Sequence, residues 1–201
     1  MLDTVSYDDW SASATSAGIA LIVLGADPEA QCANGDKLIH RIFYQKHFDA
    51  AKRLVGMGIK LDDLDHRGSS VLHRVLKGST RAIEMIEFLY EAGLDLDIKS
   101  ERGWTALQVE ASGGRDEIGI TKKLLDLGAS IDPAPSNGSD PISLAKSRGK
   151  LNVVKILNDE IKKREEIILN DYENEIYQEL SGASKMPSLE CPGILIINLA
   201  F

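Results

Sequence analysis

The sequence predicts an all-α solenoid, a series of helix–turn–helix units joined by hairpin-like loops and capped by an extended C-terminal helix. Three observations carry this. Glycines recur in two parallel series, Gly25, Gly58, Gly93, Gly128 and Gly35, Gly68, Gly103, Gly138, each spaced 33, 35 and 35 residues apart with a constant offset of ten. A fixed period of this length marks a repeat array. Between the glycine pairs, apolar residues recur at helical spacing: Ile83, Ile86, Phe88 and Leu89 in one unit, Ile118, Leu124, Leu125 and Leu127 in the next. The 201 residues are 43% hydrophobic but only 5% aromatic, so the core must be mostly aliphatic and alanine, ordinary material for packed helices.

Residues 1–25 read as an N-terminal capping helix with Trp10 near its start, because the terminal units of an array need one polar face. Four units follow, at about 26–58, 59–93, 94–128 and 129–158. The glycine just past each second helix fits a C′ position with left-handed backbone. The stretches between paired glycines are rich in Asp, Pro, Asn and Gly, as turns require. Gly68 to Gly93 and Gly103 to Gly128 span 25 residues where Gly35 to Gly58 spans 23, and LKGST (76–80) and SGGRD (112–116) place the extra pair in the inter-helix turn. Loops accept such additions at little cost.

Past LNVVKILN (151–158) no helix breaker occurs before Gly182, so the helix continues through 159–180. Its Leu157, Ile161, Ile168, Tyr172, Ile176 and Leu180 form an apolar stripe. The stripe reads either as cover for the end of the stack or as a helix for homodimerisation or for a partner. Residues 181–201 change character, from a loop-like SGASKMPSLECPG to the β-branched run ILIINLAF. Packing on the last unit, strand addition to a partner and a disordered tail are all open readings of it.

After the second glycine of each unit come DKLIHRI (36–42), SSVLHRV (69–75), WTALQVE (104–110) and SDPISLA (139–145); before the first come LIVL, LVGM, LYEA and LLDL. These resemble degraded copies of the ankyrin repeat, with its period of about 33 residues, its T-P-L-H-x-A signature and its V-x-x-L-L-x-x-G-A-D close. The resemblance covers roughly residues 7–158. His40 and His73 keep the signature histidine, Gln108 and Ser143 replace it, and only Pro141 keeps the proline. It implies a structural hydrogen-bonding role for the two histidines. It also implies a protein partner on a concave face of hairpin tips and first helices, read by the two residues before the second glycine and the one after it. Those positions are Ala33, Asn34 and Asp36, then His66, Arg67 and Ser69, then Glu101, Arg102 and Trp104, then Ser136, Asn137 and Ser139. Trp and Arg, at the centre of this strip, are the types most enriched at interface hot spots.

With 23 basic and 31 acidic residues the net charge is −8, and no basic stripe occurs. Direct nucleic-acid binding is not expected, because affinity there comes from neutralising phosphates, nor is binding to an anionic membrane. The loops at 26–37, 59–70, 94–105 and 129–140 hold eleven acids against five bases, which points to a basic partner steered by a negative face. Asp62, Asp97 and Asp132 recur every 35 residues and read as turn residues rather than as a functional carboxylate ladder.

No phosphate loop, nucleophile elbow or zinc-protease motif occurs. His47 and His66 have no partner at metal or acid–base spacing, so no catalytic residue, metal or cofactor is expected. Cys32 and Cys191 match neither a disulfide framework nor a metal site. The acidic N-terminal stretch lacks secretory-signal features, and no apolar run is long enough to span a bilayer. Together these point to the cytoplasm. The expected function is a non-enzymatic protein-binding module, acting as a neutralising, immunity-type inhibitor of a basic toxin or as an adaptor or secreted effector that recruits a cellular protein. An enzyme with its site in 159–201 is the remote alternative, since that segment carries no nucleophile–base pair beyond Cys191.

Overall fold

The computed structural model describes residues 18–20, 22–31, 35–76, 81–113, 118–131 and 140–183, the last four as helix backbone only. Helical residues 18–20 and 22–23 come first, with Ile19 buried in the core; Trp10 and the rest of the expected capping helix lie outside the described residues. Then follow α1 (Leu38–Tyr44), α2 (Phe48–Val55), α3 (Val71–Val75), α4 (Ala82–Glu91), α5 (Ala106–Ser112), α6 (Ile118–Asp126), α7 (Pro141–Ser147) and α8 (Leu151–Ala183).

Each repeat pairs two helices, α1 with α2, α3 with α4 and α5 with α6. First helices stack in register, α1 on α3, α3 on α5 and α5 on α7, while α4 stacks on α6 in a second layer. The core between the layers is aliphatic, as the composition requires: Ile39, Ile42, Leu54, Leu72, Ile86, Leu89, Leu107, Leu124 and Leu157 are fully buried, with Phe43 and Met85 the largest exceptions. On the second-helix side, Lys52 donates to Glu84 at 2.9 Å and Lys123 pairs with Glu87, tying α2 to α4 and α4 to α6.

Both glycine series serve the backbone. The seven described members have φ between 66° and 99°, in the left-handed region that penalises a Cβ. After α4 and α6, the Leu94 and Ala129 amides donate to the Leu89 and Leu124 carbonyls at 3.0 and 2.9 Å, closing each helix at its glycine. At Gly68 the demand is steric as well, since a Cβ there would lie 2.3 Å from Glu101 Cβ.

The loops between repeats are hairpin-like turns, with one isolated bridge, Gln31 to Lys37, as the sole ladder pairing among the described residues. The Gly68 amide donates to the Asp65 carbonyl and the Gly103 amide to the Ser100 carbonyl, both at 2.8 Å. Successive tips are joined by the Glu101 amide donating to the Gly68 carbonyl at 2.8 Å. Of the recurring aspartates, Asp62 is exposed and Asp97 bonds to the next repeat rather than making its own turn, which falls to Asp95. Asp95 Oδ1 accepts the Asp97 amide at 2.9 Å and so makes the turn, whereas Asp97 Oδ1 reaches the next repeat and accepts the Ser130 amide at 2.9 Å. Asp132 lies outside the described residues.

The signature histidines form the structural ladder the resemblance implies. His40 Nε2–H donates to the Asp63 carbonyl at 3.1 Å and His73 Nε2–H to the Trp104 carbonyl at 2.8 Å, each reaching the following loop. Because a carbonyl only accepts, Nε2 carries the proton, and Nδ1 accepts from the Lys37 amide and from Ser70 Oγ, respectively. Gln108 replaces this histidine with a capping box, its Oε1 accepting the Thr105 amide at 2.9 Å. We therefore expect His73→Gln to keep a cap but weaken the inter-repeat bond, and to cost about 0.5–1.5 kcal/mol by urea denaturation, since the Trp104 carbonyl keeps the Ser100 amide as a donor.

α8 serves the array through its first three turns. Val153 and Leu157 are buried and Ile161 packs on the core, capping the last repeat. The expected cover does not extend along the whole stripe. From Lys162 to Ala183 the helix belongs to a unit of its own, in which Ile168 and Tyr172 are 68% and 61% exposed and Ile176 is exposed too.

Candidate protein-binding face

The expected binding positions begin at the first hairpin tip, where Ala33 and Asn34 lie outside the described residues, as do Ser136, Asn137 and Ser139 at the fourth. The second and third tips are fully described. His66, Arg67, Glu101 and Arg102 are exposed, and Ser69 and Trp104 are partly buried. Trp104 is rigidly placed by its own peptide. Its carbonyl accepts from His73 Nε2 and from the Ser100 amide at 2.9 Å, and its amide donates to Ser100 Oγ at 3.2 Å. The tip turn and the histidine ladder thus fix the backbone from which the indole projects.

Between the first two repeats a cleft of about 270 Å³ opens beside the tips. It is lined by Asp36, His40, Arg41, Tyr44, Gln45, Asp65, His66, Arg67 and Arg74. Its floor is the buried pair of Arg74 and Asp65, side chains 3% and 2% exposed, with the Arg74 guanidinium 5.6 Å over the Tyr44 ring. Asp65 Oδ1 also accepts the Arg67 and Ser69 amides at 2.9 and 3.0 Å. Burial pushes the Asp65 carboxyl up, but those two amides and the Arg74 guanidinium outweigh it, and the group sits below the ordinary carboxylate range.

At the rim, His66 has the partner that spacing did not reveal. Its Nδ1 lies 2.7 Å from Asp36 Oδ1, which also accepts the His66 amide at 2.9 Å. Arg67 Nε–H donates to His66 Nε2 at 3.1 Å. An arginine Nε only donates, so His66 Nε2 accepts, Nδ1 carries the proton, and the order runs Arg67 to His66 to Asp36. Asp36, expected to face a partner, is buried by this work.

Sequence reasoning missed Arg41, Tyr44, Gln45 and Arg74 as cleft residues. The available signal was the dipeptide His-Arg, which follows the same offset in DKLIHRI and SSVLHRV and in neither later copy. It puts an arginine beside each ladder histidine, facing the same cleft.

Most of the loop acids make hydrogen bonds or ion pairs inside the chain, although a carboxylate that accepts an amide keeps its charge. Glu29 and Asp63 both pair with Lys37, and salt-bridging Lys37 holds both carboxyls low. Asp27, Asp95 and Asp140 accept amides of their own turns or helix, Asp97 accepts from the next repeat, and Asp36 and Asp65 build the cleft. Eight of the eleven loop acids are accounted for in this way, while Arg67 and Arg102 stand exposed at the tips. Among the described residues no group of acids, histidines or cysteines is placed to hold a metal, and no helix is long and apolar enough to cross a membrane.

No family model matches the chain. It is similar to a glycerophosphocholine phosphodiesterase of Candida albicans, 29% identical over 138 residues that make up 68% of this chain and 11% of that protein. It is 33% identical over 87 residues to protein phosphatase 1 regulatory subunit 27 of Mus musculus, covering 43% of this chain and 53% of the relative. It is 31% identical over 135 residues to a putative ankyrin repeat protein of Acanthamoeba polyphaga mimivirus, covering 66% of this chain and 17% of the relative. The chain thus spans between about a tenth and a half of these curated relatives. Among solved structures, an ankyrin repeat domain from Acinetobacter baumannii superposes with a TM-score of 0.64 at 24% identity, over 73% of this chain and 78% of that one.

Proposed function

We propose that the chain, which shares the fold of an ankyrin repeat domain and resembles parts of ankyrin-repeat proteins, is a non-enzymatic interaction module whose protein partner docks along the second and third hairpin tips. The observation that carries this is the build of those tips. Arg67, Arg102 and Trp104 are presented by turns that hydrogen bonds to Asp65, Ser100 and His73 hold in place, so the contact set is organised before a partner arrives. Preorganised contacts lose less ordering entropy on binding, and Trp and Arg are the residue types that most often carry interface energy.

Two roles suit such a module, neutralising a basic toxin and recruiting a cellular protein as an adaptor or effector. The first would use the net negative charge of the loops, which bonds to backbone amides leave in place, and the second would use the indole and guanidinium groups presented at the tips. Recruitment is the reading the tip chemistry favours, in a reducing cytoplasmic setting consistent with two cysteines that match no disulfide framework.

The test is affinity capture from the protein's own cells with quantitative mass spectrometry, run in parallel on the wild type and on Arg102→Ala with Trp104→Ala. A partner enriched by the wild type and lost from the folded variant supports the reading. Equal recovery by both proteins removes these tips from the interface.

A further inference from the structure

The geometry points to a second interaction surface, the exposed stripe of α8 beyond Lys162, which binds the same stripe of a second copy of this chain in antiparallel orientation. This stands apart from the tip-binding reading and shares no residue with it.

Residues 165–179 are exposed without exception, yet this stretch carries Ile168, Leu169, Tyr172 and Ile176. At about 100° per residue these four fall within one face of the helix. Glu165 interrupts that face and separates the four from Ile161, which the repeat core already covers in part. A helix solvated on every side is marginal on its own, and an apolar face of this kind is stabilised by a matching one.

The flanking charges specify what matches it. Lys162 and Glu173 are eleven residues apart, as are Arg164 and Glu175. Eleven residues make about three helical turns, so each pair shares one edge of the stripe, Lys162 and Glu173 on one side, Arg164 and Glu175 on the other. In an antiparallel pair related by a two-fold axis, like edges meet with their ends reversed. Every lysine or arginine named then faces a glutamate of the second copy, on both edges. In a parallel pair opposite edges meet at equal height. That sets Lys162 against Arg164 and Glu173 against Glu175, base on base and acid on acid. Flanking charges of this kind set partner choice and orientation in paired helices.

The experiment is sedimentation equilibrium of the full chain across micromolar concentrations, with circular dichroism confirming that each variant is folded. The wild type is expected to dimerise, and Ile168→Glu with Tyr172→Glu to leave a folded monomer. Lys162→Glu with Arg164→Glu is expected to weaken the dimer at least about tenfold. Adding Glu173→Lys with Glu175→Lys to that variant is expected to restore it. A wild type that stays monomeric overturns the proposal, and dimerisation only after removal of residues 184–201 does so by naming the chain's own tail as the occupant. A dimer insensitive to Ile168→Glu with Tyr172→Glu lies elsewhere. A dimer lost in that variant but indifferent to both charge exchanges overturns the antiparallel arrangement, since a parallel pair holds like charges together before and after each exchange.

Discussion

Replacing Asp65 by alanine is expected to remove about 3–5 kcal/mol of folding stability, the usual consequence of leaving a buried charge without its partner. That is a large part of the roughly 5–15 kcal/mol a domain has in total. Arg74 would keep a guanidinium 3% exposed at the floor of the cleft, with the Tyr44 ring as its remaining described neighbour. The turn would suffer too, because Asp65 is the acceptor for the Arg67 and Ser69 amides. A double variant, Asp65→Ala with Arg74→Met, removes both charges and should recover part of the loss. Urea midpoints of the two proteins decide it. If the single variant unfolds like the wild type, the pair is not the keystone its burial indicates.

The same residue sets a dependence on pH. The folded Asp65 carboxyl lies below its unfolded value, held there by two amides and Arg74 against the opposing effect of burial. A group depressed on folding contributes its full stability above the unfolded value of about 3.9 and loses it as pH falls through the folded one. The stability gap between the wild type and Asp65→Asn should therefore be widest near neutrality and shrink below about pH 4. Denaturation curves at a series of pH values measure it directly.

What could be read from the residues was whatever repeats. The glycine series was legible because each position needs a backbone that other residues adopt only under strain, and seven described members have it. The roles of His40 and His73 were legible for the same reason, being tied to a fixed offset from those glycines. The cleft was not, since it depends on pairs such as Asp36 with His66 and Asp65 with Arg74 whose partners stand at unrelated offsets in the repeat. A count of loop acids measures charge and is silent about where each carboxylate's hydrogen bonds go, which is why Glu29 and Asp63 read as a surface for a partner and turn out to join loops through Lys37. Helical periodicity likewise shows that Ile168 and Tyr172 share a face without showing what covers it.

Arg102→Ala is expected to weaken partner binding by about 2 kcal/mol, roughly thirtyfold, and to leave stability unchanged. Arg102 is exposed at the third tip, and exposed positions away from caps and buried networks change stability by only a few tenths of a kcal/mol. Trp104→Ala should weaken binding at least as much but must also cost stability, on the order of 1–2 kcal/mol, because part of the indole is buried in the unbound protein. The backbone at Trp104 would not follow the side chain. Its carbonyl and amide are bonded to His73 and Ser100 through main-chain atoms that alanine also has. The tip therefore keeps its shape, and the loss in affinity, measured per folded molecule, reports the indole alone. The pair of variants separates the two meanings of a tryptophan set between Gly103 and Thr105. If both lower affinity, the indole and guanidinium form one contact surface. If Arg102→Ala is silent and Trp104→Ala lowers only the melting temperature, the ring is part of the hairpin stack and the partner binds elsewhere on the array.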